Sequence, residues 1–393
     1  MITTGVLGQR WRASVTPWGA VESWVDGRVL DWHIAADDRW HSPEREAAVR
    51  QRRVDGSAVV ETRVRVPDGD VVQTVFSVAD HGGLTVIEVE NASPLPVVVA
   101  FTHGDLLSVR PPSAPIEGIT LPSGSVAFPL GHHSTLTVAL PHGGGRGTLP
   151  AGLPTAAGVA RGWSAIVDRA GRMLLPEERV GEWVAEQRCE LALCGPDDPA
   201  ADPVAFLLGV AALVRMGEQA DAWVPDVAEA VERVLRSDAR DWTIAAALDA
   251  VAVILAAADE RRAVRDLAAV RSRLDLRDAL PAVEPSGDPA RRLAWHERRL
   301  VSNAHDGAEL LALGLPMSWR GVNFEVYSLP VVHADGAVTT VSYAVRWHGA
   351  RPAVLWEQVG TPVRLTSPVA PGWWSTDAKG EALWPEPEAD RSA

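Results

Sequence analysis

Val59-Val60-Glu61-Thr62-Arg63-Val64-Arg65-Val66 runs into Pro67-Asp68-Gly69, and the chain resumes as Val71–Val78. Apolar and polar side chains alternate along the first run, and Pro-Asp-Gly is turn chemistry. The stretch therefore predicts two antiparallel strands joined by a tight turn. Working outward, His81-Gly82-Gly83 leads into a third alternating run, Leu84–Glu90, and Asn91-Ala92-Ser93-Pro94 turns the chain into Val97–Thr102. Ser125–Leu130 and Ser134–Leu140 read as two more strands, with Gly143–Gly147 as a flexible tip. Short strands spaced by about 10 residues, with Gly and Pro between them, predict a sandwich rather than a βαβ fold. Trp163–Val167 and Arg172–Leu175 are expected to close this antiparallel β-sandwich, which takes residues 1–175.

Near residue 200 the apolar period changes from two to about 3.6. Asp202-Pro203 is an N-cap followed by proline at the first helical position, opening a helix to about Gly217. Asp226–Arg236 carries Val227, Ala230, Val231, Val234 and Leu235 on one stripe. Asp241 caps an Ala-rich helix to Ala258 that is apolar nearly all round, so it should sit centrally. Arg261–Leu274 and a helix opened by Asp288-Pro289 complete a layer of helical hairpins over residues 176–315. Beyond it, Asn323–Leu329, Val338–Trp347, Ala353–Glu357 and Val363–Thr366 predict a small C-terminal antiparallel β region over 316–384, and 385–393 reads as a frayed tail. The fold class expected is thus α+β and multi-domain.

A formal charge of −14 over 393 residues argues against a nucleic-acid partner, because phosphate binding needs a basic face. The longest apolar run, Ile244–Ala258, is interrupted by Asp249 and falls short of the roughly 20 residues a membrane span needs. Met1–Arg12 lacks a basic segment followed by an apolar one, so a cytoplasmic location is expected. Cys189 and Cys194 stand alone in a C-x4-C spacing, which suits neither a zinc site nor a redox pair. The alternation between them suggests a strand with buried thiols. No metal and no cofactor are expected.

Tryptophan is the distinctive residue: 16 against 2 Tyr and 5 Phe. Four tryptophans precede a histidine directly, in Trp32-His33, Trp40-His41, Trp295-His296 and Trp347-His348, and Trp373-Trp374 lies in a Gly/Ser-rich loop. An exposed indole face can stack on the C–H face of a sugar while a neighbouring imidazole bonds its hydroxyls; in the interior the same residue fills space between layers. Acyl transfer finds no support, since no G-x-S-x-G elbow exists, and Leu300 stands where a helical zinc motif starting at His296-Glu297 would need its second histidine. Glycoside cleavage needs two carboxylates about one sugar bond, one of them with a raised pKa. Asp105, Glu297, Asp306 and Glu309 are the candidates by context.

Val64-Arg65-Val66-Pro67-Asp68-Gly69-Asp70-Val71-Val72-Gln73, with Gly83–Val97 after it, resembles the N-terminal β-sandwich of bacterial glucoamylase-like and glycogen-debranching-type proteins, relatives of the six-hairpin glycosidases. The resemblance implies a sandwich ahead of an (α/α) toroid that carries the catalytic acids. A full toroid of about 12 helices takes on the order of 300 residues at ordinary helix and loop lengths. The helical stretch here is far shorter, so the resemblance implies a reduced relative and carries over no catalytic residue. The expectation is a carbohydrate-related protein that binds a glycan or polyol without catalysis, through Trp347, His348, Trp356, Trp373 and Trp374. A shortened glycoside hydrolase and an assembly protein with no small ligand are the alternatives.

Overall fold

A computed structural model describes residues 1–304 and 307–387. The class is α+β, with seven α-helices and five sheets among the described residues. The chain divides into two compact units, Met1–Ala165 and Ile166–Ala393, so the helices from residue 178 onward and the C-terminal strands share one unit.

The opening hairpin forms as its sequence predicts. Val60–Val66 pairs antiparallel with Gly69–Val78, and Asp68 takes the left-handed conformation (φ 57°) that the two-residue turn requires. Leu84–Asn91 and Thr135–Pro141 extend this sheet, and Arg50–Arg53, Leu107–Ser108 and Gly147–Thr148 complete its seven strands. One face of it shares a core with two four-stranded sheets, through Trp32, Ile34, Val64, Val75, Ile87, Val99 and Phe128. At one end the opposite face is also buried, because helix α1 (Ala156–Val167) sets Ala156, Val159 and Ala160 against Phe76, Leu84 and Val86. Burial of both faces there is why Val75-Phe76 and Val86-Ile87 place adjacent apolar side chains on opposite sides of the sheet. Several strands ahead of the hairpin, such as Arg12–Val15 and Trp32–Ala35, are short and weakly alternating and carry no legible sequence signal.

Two local expectations are corrected. Trp163–Val167 belongs to α1 rather than to a strand, and Arg172–Leu174 is a strand of the second unit, paired with Glu325–Tyr327. Cys189 and Cys194 lie in helix α2 (Glu178–Cys194), with Cys189 buried and Cys194 exposed. The six-residue alternation was ambiguous: Cys189, Ala192 and Leu193 are also i, i+3 and i+4, and those are the residues α2 buries.

In the second unit, α3 (Pro203–Met216), α4 (Val224–Arg236), α5 (Trp242–Ala257) and α6 (Arg261–Arg271) enclose a core of Phe206, Val210, Val227, Val234, Leu248, Val251, Ile254 and Leu267. Asp202 and Asp241 cap as expected, accepting from the backbone N–H of Ala205 and Thr243. The Ala-rich α5 is central and buried nearly all round. Asp288 caps α7 (Pro289–Leu300) through Arg291 N–H, and α7 leads straight into the strand Val301–Ala304. A five-stranded antiparallel sheet carries Phe324–Val332, Val338–His348 and Arg351–Val359 at its centre. The remaining sheet is not wholly antiparallel, because Gly307–Glu309 pairs parallel with Arg364–Thr366.

Candidate functional site

Three helices of the second unit each turn one face to a common pocket. From α3 come Leu208, Ala211, Ala212 and Arg215; from α5, Ala246, Asp249, Ala250 and Val253; from α7, Ala290, Leu293, Ala294, Glu297 and Arg298. All three sets have the i, i+3, i+4, i+7 spacing of a single helical face. Val301 and Asn303 on one strand and Leu329, Pro330 and Val332 on another complete the lining of the pocket, which opens to solvent. The walls are alanine, leucine, valine and proline, and the ionisable groups collect where the helix faces converge.

Those groups form two networks. Glu297 accepts from Arg188 Nη2 at 2.7 Å and from both terminal nitrogens of Arg215, at 2.7 and 3.1 Å. Arg188 also donates to the carbonyls of Val167, Ala170 and Gly171. The second network centres on Asp249, which pairs with Arg271, accepts from Arg298 Nη1 at 2.7 Å and accepts from Asn303 Nδ2. Asn303 Oδ1 is itself satisfied by the Val332 N–H at 3.0 Å. Burial holds the guanidinium pKa values of Arg188, Arg271 and Arg298 below the usual arginine range. Burial alone would raise the Glu297 carboxyl, but Arg215 and Arg188 outweigh it and hold that pKa below its ordinary value. Four guanidiniums thus face two carboxylates. Arg215, Arg298, Glu297 and Asp249 line the pocket, two of each sign, with Asp278 3.6 Å from Arg271 and Asp168 acting on Arg188 further out.

Arg298 differs from the other donors. It is 7% exposed, and its Nε and Nη2 have no acceptor among the described residues. These two nitrogens form one straight edge of the guanidinium, the edge that Arg52 uses to hold Glu61 at 3.0 and 3.1 Å in this same chain. Such an edge matches two oxygens of a carboxylate or a phosphate.

The residues expected from sequence are not gathered at one place. Glu297 lines the pocket, but its lowered pKa is the reverse of what a general acid needs. Glu309 is half-buried on the strand Gly307–Leu310, where burial raises its pKa. Asp306 lies outside the described residues. Asp105, in the first unit, is exposed and ion-paired with Arg28 at 2.7 Å, beside a small pocket holding His103 and His142. Burial pushes His142 down to about 4, so it is neutral at pH 7, with its ring stacked on Trp11 at 4.1 Å and its Nε2 bonded to Thr85.

Trp356 is 6% exposed, and Trp373 meets both it and Trp384 edge to face at 5.4 and 5.1 Å. Trp347 is half-buried and His348 exposed at the end of a hairpin, and Trp374 is exposed with the Arg364 guanidinium over its ring. The Trp-His pairs share a simpler role. Trp32, Trp40, Trp295 and Trp347 each donate their indole N–H to a backbone carbonyl, of Trp18, Glu117, Pro281 and Val322. That is how an indole anchors packing.

Sequence reasoning passed over Asp249, Arg215 and Arg298. The signal was present for the first two: each is the sole ionised residue in an otherwise apolar helix, and an interior charge persists only where something pairs with it. Compared with known proteins, the chain matches no family model, no curated protein and no solved structure.

Proposed function

We propose that this protein is a binding protein for a small organic anion with an aliphatic body, held in the pocket among α3, α5 and α7. The observation that carries this reading is the buried Arg298 guanidinium, whose Nε and Nη2 have no acceptor among the described residues, in a pocket whose walls are largely alkyl. Buried donors left without an acceptor are costly, and an anionic ligand supplies the acceptor oxygens. The alkyl walls favour an aliphatic body over a sugar, which would call for aromatic faces, and no tryptophan lines this pocket. In this reading the architecture is a β-sandwich followed by a helical layer and a small C-terminal β region, with binding in the last two.

The test is a calorimetric titration with saturated monocarboxylates of increasing chain length, beside the matched primary alcohols and a panel of glucose oligomers. Saturable binding of carboxylates, with a raised Tm, is the expected result. Ala290→Phe narrows the lining at a half-buried position and should abolish it. Binding of the glucose oligomers alone would return the function to the polyol class. No binding by any compound would remove the small-ligand reading.

A further inference from the structure

Resting on that reading, we infer that Arg298 is the anchoring residue of the pocket and that its ligand is a carboxylate, taken side-on by Nε and Nη2. The terminal nitrogens of Arg215 and the amide of Asn303, which also line the pocket, are engaged within the protein. Arg215 spends both terminal nitrogens on Glu297, and Asn303 bridges Asp249 and the Val332 backbone. Asp249 fixes the opposite corner of the Arg298 guanidinium through Nη1 at 2.7 Å, which sets the plane of the free edge. Asp249 is in turn held by Arg271 and Asn303. The edge is therefore oriented before any ligand arrives, and orientation prepared in advance is what makes a bidentate contact strong.

This arrangement specifies more than charge. Two coplanar donors match the two coplanar oxygens of a carboxylate, whereas lysine offers a point charge on a flexible stem. A carboxamide of the same shape presents one acceptor and one donor to the edge, so one of the two contacts becomes a clash of donors. The same pocket has alkyl walls that include Ala294 and Leu293 on α7 and Ala250 on α5. A monocarboxylate with a saturated chain fills both parts.

The experiment compares the full chain with Arg298→Lys in titrations against one saturated monocarboxylate, its carboxamide and its primary alcohol. Wild type should bind the carboxylate at least 10-fold more tightly than the carboxamide. Arg298→Lys should lose at least 10-fold for the carboxylate while its weak affinity for the alcohol is unchanged, a split that a general loss of structure would not give. Should Arg298→Lys fail to fold, the wild-type protein still decides the matter. The Arg298 Nε–H resonance must shift on adding carboxylate and stay fixed on adding alcohol. Equal affinity for carboxylate and carboxamide, or an unmoved Nε–H resonance in the saturated complex, would overturn the anchor while leaving the binding function standing. Absence of all binding would instead overturn the function on which the anchor rests.

Discussion

Glu297 holds two arginines by itself. Arg188 is 2% exposed and Arg215 13%; Arg188 gives Nη2, and Arg215 both terminal nitrogens, to the oxygens of this one side chain. Glu297→Gln keeps the shape and removes the charge, leaving two buried cations without an anion between them. Breaking a buried pair from one side costs about 3–5 kcal/mol, and a loss of that size is expected in the denaturant midpoint. Acid should imitate the substitution. The folded-state pKa of Glu297 lies below its ordinary 4.5, so its contribution is complete above that value and is lost as pH falls through the lower folded one. The acid limb of the stability–pH profile should therefore be steeper in wild type than in Glu297→Gln. Parallel limbs would mean that the carboxylate contributes little.

Among the elements, α3 shows how a cap does two jobs. Asp202 accepts from the Ala205 N–H at 3.0 Å, and its carboxylate also receives Arg291 of α7 at 2.7 and 2.8 Å. Asp202→Ala thus removes a cap and a link between two pocket-forming helices. A loss of about 1–2 kcal/mol is expected from the cap, with less than about 1 kcal/mol more from a partly exposed ion pair. A double-mutant cycle with Arg291→Met separates the two. The three Asp caps, at 202, 241 and 288, were legible in sequence because capping is chemistry between near neighbours. The same locality made the Val60–Val78 hairpin readable. Trp163–Val167 and Cys189–Cys194 were misread because a few residues satisfy two periods at once. What decides between those periods is distant in sequence: the sheet surface that α1 covers, and the core that accepts Cys189 and Leu193.

Over the whole molecule, binding should leave a local record. A carboxylate in the pocket is expected to slow amide exchange in α3, α5, α7 and Phe324–Val332, and to leave the strands of Met1–Ala165 unchanged. Hydrogen–deuterium exchange with and without ligand reads this directly, and protection confined to the first unit would place the site elsewhere. The pocket was hard to find in the sequence because its polar members come from segments as far apart as Arg215 and Asn303. Only folding makes Arg215, Asp249 and Arg298 neighbours. Tryptophan misled for the opposite reason: its number is conspicuous, yet Trp356, Trp319 and Trp384 spend their surface inside the core.

The alanines along the pocket carry a last consequence, one for protein engineering. Ala211, Ala212, Ala246, Ala250 and Ala294 form much of the wall, and alanine is the smallest side chain that still favours a helix. Each can be exchanged for valine, leucine or methionine without asking the backbone for a new conformation. Ala211 and Ala250 belong to one apolar cluster and Ala246 and Ala294 to another, so a small combinatorial library that varies these positions together could re-size the chamber while the charged residues stay as they are.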